Sequence, residues 1–289
     1  MSCEKIMRTL SFPEEAISSV LAAEKDNAGL FSLCDRYFRG NISFDSALKL
    51  IAIVKDKKTP QNLAHLLFLL RGEENLEKIY DELSLPKEVF LDSADDLRVK
   101  LFECKKVTGE WGNFVPFWYE GFFALRRFAL GRLQYDYHPY EWDTYCDRGI
   151  AIKRGDTVYS CHIPSDARPF DRAAVLDSLK RAHAFFEGNL RVGILPVVCH
   201  SWLLHPSLSE CLPESSNILS FAKLFHIIKT ENDEGFPDAW RIFSKDYTDR
   251  NDIYPQDTSL QRSILAYLNE GHGIGAGCGI LLFDGEKIL

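Results

Sequence analysis

The spacing of apolar residues changes period part-way along the chain, and that change limits the folds open to it. Up to about residue 105 nearly every segment carries helical spacing and little strand signal. In SFDSALKLIAIVK (43–55), Phe44, Leu48, Ile51 and Ile53 gather toward one side, and Ser43 is placed to cap the first turn. Leu63, Leu66, Leu67 and Leu70 form a second stripe. Short linkers such as RGN and DKKT separate the stripes, the pattern of a small helical bundle whose apolar faces are core faces.

Beyond residue 130 strands and helices alternate. FFALRRFAL is helix-like, and the handover to strand is expected near Gly131. In GRLQYDYH, Leu133, Tyr135 and Tyr137 alternate with Arg132, Gln134, Asp136 and His138. TVYSCHIPS (157–165), LPVVCHSWLL (195–204), AWRIFS (239–244) and the final GIGAGCGILLF read as strands. DRAAVLDSLKRAHAFF (171–186) reads as a helix capped by Asp171, with Val175, Leu179, Ala182 and Phe186 on one stripe. NILSFAKLFHIIK (217–229) and TSLQRSILAYLNE (258–270) read as further helices. Such alternation implies βαβ crossovers and a parallel or mixed sheet. The expected class is α+β or α/β: a helical domain over 1–105, then a mixed sheet flanked by helices over 106–289.

Composition removes some functions. The net charge of −8 over 289 residues includes no basic run to pair with a phosphate backbone, so nucleic acid is not an expected partner. The longest apolar run, LAHLLFLL, is too short to span a bilayer, and the first residues lack a secretory signal's apolar stretch. The eight cysteines show no CxxC spacing, which points to reduced thiols and a cytoplasmic protein. Residues 111–145 hold three Trp, five Phe and five Tyr, read as core in preference to an aromatic pocket.

Two strands carry an echo, Ser160-Cys161-His162-Ile163 and Val198-Cys199-His200-Ser201. On a strand Val197, Cys199, Ser201 and Leu203 share one face while Val198, His200, Trp202 and Leu204 share the other, so His200 does not reach Ser201 or Cys199. The same parity argues against zinc held by both Cys-His pairs, and no metal is expected. As parallel neighbours the two strands would bring both pairs to the carboxyl edge, where open α/β sheets bind ligands. Glycines 271, 273, 275, 277 and 279 precede a strand instead of opening a helix, so they are read as a face that lets other chain pack closely, not as a phosphate loop. No GxSxG, HExxH or GxxxxGK[ST] occurs. At helix starts, Asn217 and Thr258 are read as caps, whereas Arg262 stands where the helix dipole disfavours a cation and calls for a partner anion.

Several stretches together resemble a bacterial family of two-domain acyltransferases, with a helical N-terminal domain and a GNAT-like C-terminal domain: VTGEWG (107–112), LGRLQYDYH (130–138), CHIPSDARPFD (161–171), CHSWLLHPSL (199–208), SSNILSFAKLF (215–225) and DTSLQRSILAYLNEG (257–271). The resemblance implies N-acyl transfer from a CoA-type thioester to a small-molecule amine. It places the cofactor between TVYSCHIPS, the turn SDARPFD and LPVVCHSWLL, with Cys161, Ile163, Ser165, Arg168, Arg172 and Ser201 as its contacts. SDARPFD lacks the usual Gln/Arg-x-x-Gly-x-Gly/Ala loop, and Arg168 and Arg172 are expected to supply charge in its place. The chemistry needs a base, for which His200 or His162 has the suitable intrinsic pKa, strand N–H groups near 161–163 at the thioester oxygen, and an acid for the thiolate, assigned to Tyr254. The alternatives are a non-catalytic small-molecule-binding or regulatory module on the same fold, and a thiol enzyme using Cys199 or Cys161.

Overall fold

The computed structural model describes residues 1–166, 168–245 and 253–289, and its chain divides into two compact units, Met1–Ala129 and Leu130–Leu289. The first is helical: α1 (Cys3–Thr9), α2 (Glu14–Glu24), α3 (Ala28–Phe38), α4 (Phe44–Val54), α5 (Gln61–Glu82), α6 (Lys87–Ala94), α7 (Asp96–Thr108) and the single turn α8 (Glu120–Phe123). Around the 22-residue α5 the others assemble, because Leu63, Leu66, Leu67 and Leu70 are joined in burial by Phe68 and Leu69. A helix apolar on all sides must be enclosed. Ser43 caps α4 through Ser46 N as expected, and Phe44, Ala47 and Ile51 turn inward. Ile53 does not: it is 78% exposed, since two residues past Ile51 is the far side of a 3.6-residue helix. Arg71 of α5 grips Asp35 of α3 bidentately at 2.8 and 2.9 Å, tying the two helices together.

One carboxyl in this unit lacks the polar surroundings a charge needs. Glu73 on α5 is 1% exposed, and its Oε2 has no hydrogen-bond partner among the described residues. Burial, then the nearby Asp96, pushes its pKa up to about 8. Asp96 itself accepts from the buried Tyr119 hydroxyl at 2.9 Å.

The second unit follows β1 (Arg127–Leu130), inside which the division falls. It comprises β2 (Leu133–Pro139), β3 (Tyr145–Asp147), β4 (Ile150–Ile152), β5 (Thr157–His162), α9 (Arg172–Phe186), β6 (Leu195–Ser201), α10 (Leu208–Cys211), α11 (Asn217–Ala222), β7 (His226–Glu231), α12 (Ala239–Phe243), α13 (Ser259–Asn269) and β8 (Ala276–Phe283). The strands form a mixed sheet in the order β1-β2-β5-β6-β8-β7, with β3 and β4 as a separate hairpin. The pair β5–β6 is parallel, whereas β2–β5, β6–β8 and β7–β8 are antiparallel. Asp171 caps α9 as its sequence predicts, accepting from Ala174 N at 2.9 Å. Ser178 of α9 bonds to Leu130 O, Leu133 N and the Tyr135 hydroxyl, and Phe186 lies 4.4 Å from the Tyr159 ring, which seats α9 on one sheet face. Tyr140, Ile152, Val158, Val198, Ile280 and Leu282 form the core of the other face.

Several sequence expectations are corrected, among them the cap of α11, which is Ser216 and not Asn217. FFALRRFAL is helical only to Phe123; Leu125 turns the chain at φ +52° and strand begins at Arg127, so the handover precedes Gly131, whose φ of +78° serves the turn before β2. The predicted helix 217–229 ends at Ala222, and His226–Glu231 becomes β7, because the segment around the β-branched Ile227 finds a partner in β8 that no local pattern announces, with Ile228 left out of the ladder at a bulge. AWRIFS is a helical turn, favoured by the Arg241–Asp238 pair at 2.6 Å across one turn. LPVVCHSWLL leaves the sheet at Ser201, whose Oγ accepts from Leu203 N and opens a single turn over Trp202–Leu204. Thr258 and Gln261 form a capping box, while Arg262 meets the carbonyls of Gln256 and Asp257 at 2.7 and 3.2 Å instead of an anion.

The glycine face packs against chain. A Cβ on Gly277 would stand 2.4 Å from the Leu204 carbonyl oxygen, and one on Gly275 only 1.8 Å from that of Glu231.

Because the folded pKa of Glu73 lies above its unfolded value near 4.5, its penalty is absent in acid and grows as pH rises from about 4.5 to about 8. Glu73→Gln is therefore expected to match the wild type near pH 5 and to exceed it by a few kcal/mol near pH 8 in urea unfolding. A stability difference independent of pH contradicts a neutral buried carboxyl.

Candidate active site

Strands β5 and β6 are paired at Tyr159–Val197 and Ser160–Val198, and no further pair joins them among the described residues. Both continue. The β2–β5 ladder runs on to Gln134–His162, and the β6–β8 ladder to Ser201–Gly277. Each strand is thus paired with its outer neighbour to its carboxyl end while the inner edges are unpaired there, a wedge of unladdered backbone between the two. Along such an edge alternate residues direct N–H and C=O groups into the gap, where they lack a ladder partner.

The register decides what borders the wedge. Tyr159, Cys161, Val197 and Cys199 share the face covered by α9; Ser160, His162, Val198 and His200 share the other. On the first face the two thiols lie against each other, both buried. The Cys161 contact, then burial, pushes the Cys199 pKa well above a thiol's ordinary value, the reverse of what a thiolate nucleophile requires. On the second face the histidines stand one on each side of the wedge, two residues beyond the last pair. His162 Nε2 is 3.1 Å from Asp136 Oδ2 on β2, with the imidazole 28% exposed. His200, 54% exposed, has Nε2 3.5 Å from Glu231 Oε2 on β7. Glu231 also takes Lys229 Nζ at 2.6 Å, which with His200 draws its carboxyl below the usual range.

Past the tips, Ile163 after β5 and Trp202 and Leu203 after β6 join one apolar cluster. Tyr254 belongs to that cluster, 4% exposed and stacked on Phe243 at 4.5 Å. Ser201 is half-buried, and its hydroxyl is spent on Leu203 N. Ser165 is exposed on the turn after β5, one of whose residues, 167, lies outside the described residues.

That turn is organised by two residues the sequence reading did not single out as functional. Arg132, 7% exposed, donates to Pro164 O at 3.0 Å and to Pro169 O at 3.2 Å, with its guanidinium 5.2 Å above the Phe170 ring. Asp166 binds Arg168 at 2.6 and 2.8 Å and lies 3.9 Å from Arg132. The one cue for Arg132 is a cation beside the turn before an otherwise apolar-alternating strand. Arg168, expected at a phosphate, is therefore already neutralised; Arg172 is exposed at the start of α9. Between α9 and α11 runs a groove lined by Phe170, Asp171, Arg172, Asn217, Ser220 and Phe221, closed so tightly that it holds no water-sized volume.

A family model described as the N-acyltransferase N-terminal domain matches residues 1–125. A second, described as the GNAT-like C-terminal domain, matches residues 127–281, more than half of the chain. The chain belongs to the two-domain GNAT-like acyltransferase family. No curated protein matches it. Among solved structures, an acyltransferase in complex with decanoyl-CoA and teicoplanin superposes with a TM-score of 0.73 at 21% identity, covering 96% of this chain and 86% of that one. An acyltransferase with CoA and 10C-teicoplanin gives 0.74 over the same shares, and one with decanoyl-CoA gives 0.62 over 97% and 99%, each at 21% identity. At that identity the likeness establishes the shared GNAT-like fold.

The thiol geometry makes a direct prediction. Iodoacetamide on the native protein is expected to modify the exposed Cys146 readily and Cys161 and Cys199 only after unfolding, read by peptide mass mapping. Rapid native labelling of Cys199 contradicts its burial.

Proposed function

We propose that this GNAT-like protein is an N-acyltransferase that moves an acyl group from a CoA-type thioester to a small-molecule amine. The observation that carries the reading is the wedge: β5 and β6 separate after Ser160 and Val198 while their outer ladders continue. The unpaired strand edges match the arm of a pantetheine thioester, which carries amides able to pair with backbone. The fit at the phosphate end rests on the Arg172 side chain and the N–H groups of Arg172 and Ala173, since Asp166 holds Arg168 and Asp171 takes the Ala174 N–H. Entry of the cofactor requires α9 and α11 to part along their closed groove. The thioester supplies an activated acyl carbon; the chain supplies the rest.

His162 is assigned as the base that removes the amine's proton, because Asp136 fixes its ring and stabilises the imidazolium that results. His200, beside Glu231 across the wedge, is assigned to orient the cationic acceptor. Backbone N–H groups near 161–163 are placed to stabilise the thioester oxygen. Tyr254 is kept as the acid for the departing thiolate; its burial against Phe243 removes it from solvent without placing it at the sulfur position. The second reading, a binding module without catalysis, draws support from two carboxylates, Asp166 and Asp171, at the turn where the family's glycine loop would stand.

Titration of the full chain with acetyl-, octanoyl- and decanoyl-CoA by calorimetry is expected to give saturable binding, and absence of heat at millimolar ligand contradicts the reading. With an amine acceptor, His162→Ala is expected to lower kcat by about 10²–10⁴ with little change in KM, and wild-type activity to fall on the acid side as imidazole is protonated. Acyl-CoA binding with unchanged turnover in His162→Ala assigns the base elsewhere; binding with no turnover for any amine favours the binding module.

A further inference from the structure

The brevity of the β5–β6 contact has a second outcome at the opposite ends of the same strands. Before Tyr159 and Val197 the strands are again unpaired, and their starts, with the segments 149–152 and 189–194, line a cavity of about 330 Å³, within the size range of small-ligand sites. Its lining on β5, Thr157 and Tyr159, precedes His162 by five and three residues, ~17 and ~10 Å along the strand. Its apolar walls come from Ile150, Ile152, Ile194, Pro196 and Tyr159; Asp156, Thr157, Asn189 and Arg191 contribute polar groups. Pro196, paired in register with Leu282 of β8, carries no N–H.

We propose that this cavity binds a small carboxylate with an apolar tail, the carboxylate on Arg191 and the tail among Ile150, Ile152 and Ile194. Arg191 is 76% exposed and is engaged only loosely, with Nη1 3.6 Å from Asp156 Oδ2, while that carboxylate already accepts from Lys153 N at 2.8 Å. Its fork is thereby free to take a second carboxylate bidentately. The segments 147–156 and 189–192 carry Arg148, Lys153, Arg154 and Arg191 against Asp147 and Asp156, a basic neighbourhood in a chain of net charge −8. Next to Arg191, Val192 sits at φ +50°, ψ +28°, a left-handed conformation rare for a β-branched residue, and Gly193 follows at φ +69°. This turn, closed by Ile194 N on Arg191 O at 3.1 Å, holds the Val192 side chain 79% exposed on the cavity's rim. Such a conformation persists where the surroundings impose it, and it gives an apolar tail something to cover.

The test is calorimetric titration of the full chain with sodium octanoate, with acetate and inorganic phosphate as comparison ions. One saturable octanoate site is expected, with acetate and phosphate at least about tenfold weaker. Arg191→Ala and Val192→Gly, the latter keeping the turn while removing the side chain, are each expected to weaken octanoate about tenfold. Arg172→Ala, at the other end of the strands, is expected to leave octanoate unchanged, which separates this site from the thioester wedge. The proposal is overturned if octanoate does not bind in the millimolar range, if phosphate binds as well, if Arg191→Ala and Val192→Gly leave it unaltered, or if Arg172→Ala weakens it instead.

Discussion

Everything distinctive about the C-terminal unit depends on how little β5 and β6 hold on to each other. Parallel neighbours in a sheet ordinarily satisfy each other's backbone along their whole length, because a buried unpaired N–H or C=O costs roughly 1–3 kcal/mol. Here the ladder is confined to the pairs Tyr159–Val197 and Ser160–Val198, and pairing stops on both sides of them. The arrangement survives because the loss is local. Antiparallel ladders from Pro139–Thr157 to Gln134–His162 and from Leu195–Phe283 to Ser201–Gly277 anchor each strand along its outer edge. Two well-paired half-sheets joined by this short ladder give a stable body with an open seam.

The surrounding residues can be understood as supports for that seam. On one face α9 packs beside it, bonded through Ser178 to β2 and with Phe186 against Tyr159 of β5. On the other, His162 and His200 lean outward on Asp136 and Glu231, each a carboxylate from a strand that does not border the gap. At the far side of the sheet, Gly277 and Gly279 let Leu204 and Phe225 approach β8 more closely than any side chain would permit, packing the turn after β6 against its neighbour strand. Arg132 does for the turn after β5 what these glycines do after β6: it fixes the backbone through Pro164 O and Pro169 O.

What the sequence reveals and what it hides follow from the range of the interactions involved. The period change from helix to alternation, the caps at Ser43, Asp171 and Thr258, and the parallel placement of the two Cys-His strands rest on local patterns and short crossovers, and the structure has all of them. His226–Glu231 is a strand only because β8, some fifty residues later, offers it an edge; read alone, Phe225 and Ile228 fit a helical stripe equally well. The end of β6 at Ser201 depends on a side-chain hydrogen bond to Leu203 N that hydropathy does not encode. For the site, the two histidines and their shared face follow from parity, whereas their carboxylate partners lie on other strands and emerge only from the register. Arg132 and Asp166 were invisible as a pair because 34 residues separate them. The separation of β5 from β6 is itself a failure to pair, and no residue pattern signals it.

Acyl transfer by this fold requires the thioester to lie in the wedge. Backbone amide spectra of the isotope-labelled full chain, recorded with and without decanoyl-CoA, test this directly. The largest shifts are predicted at Cys161, His162, Ile163 and Ser201 and at the first residues of α9, with Asp147, Thr157 and Arg191 little changed. Saturable binding that leaves the amides of residues 161–163 and 201 undisturbed would contradict it.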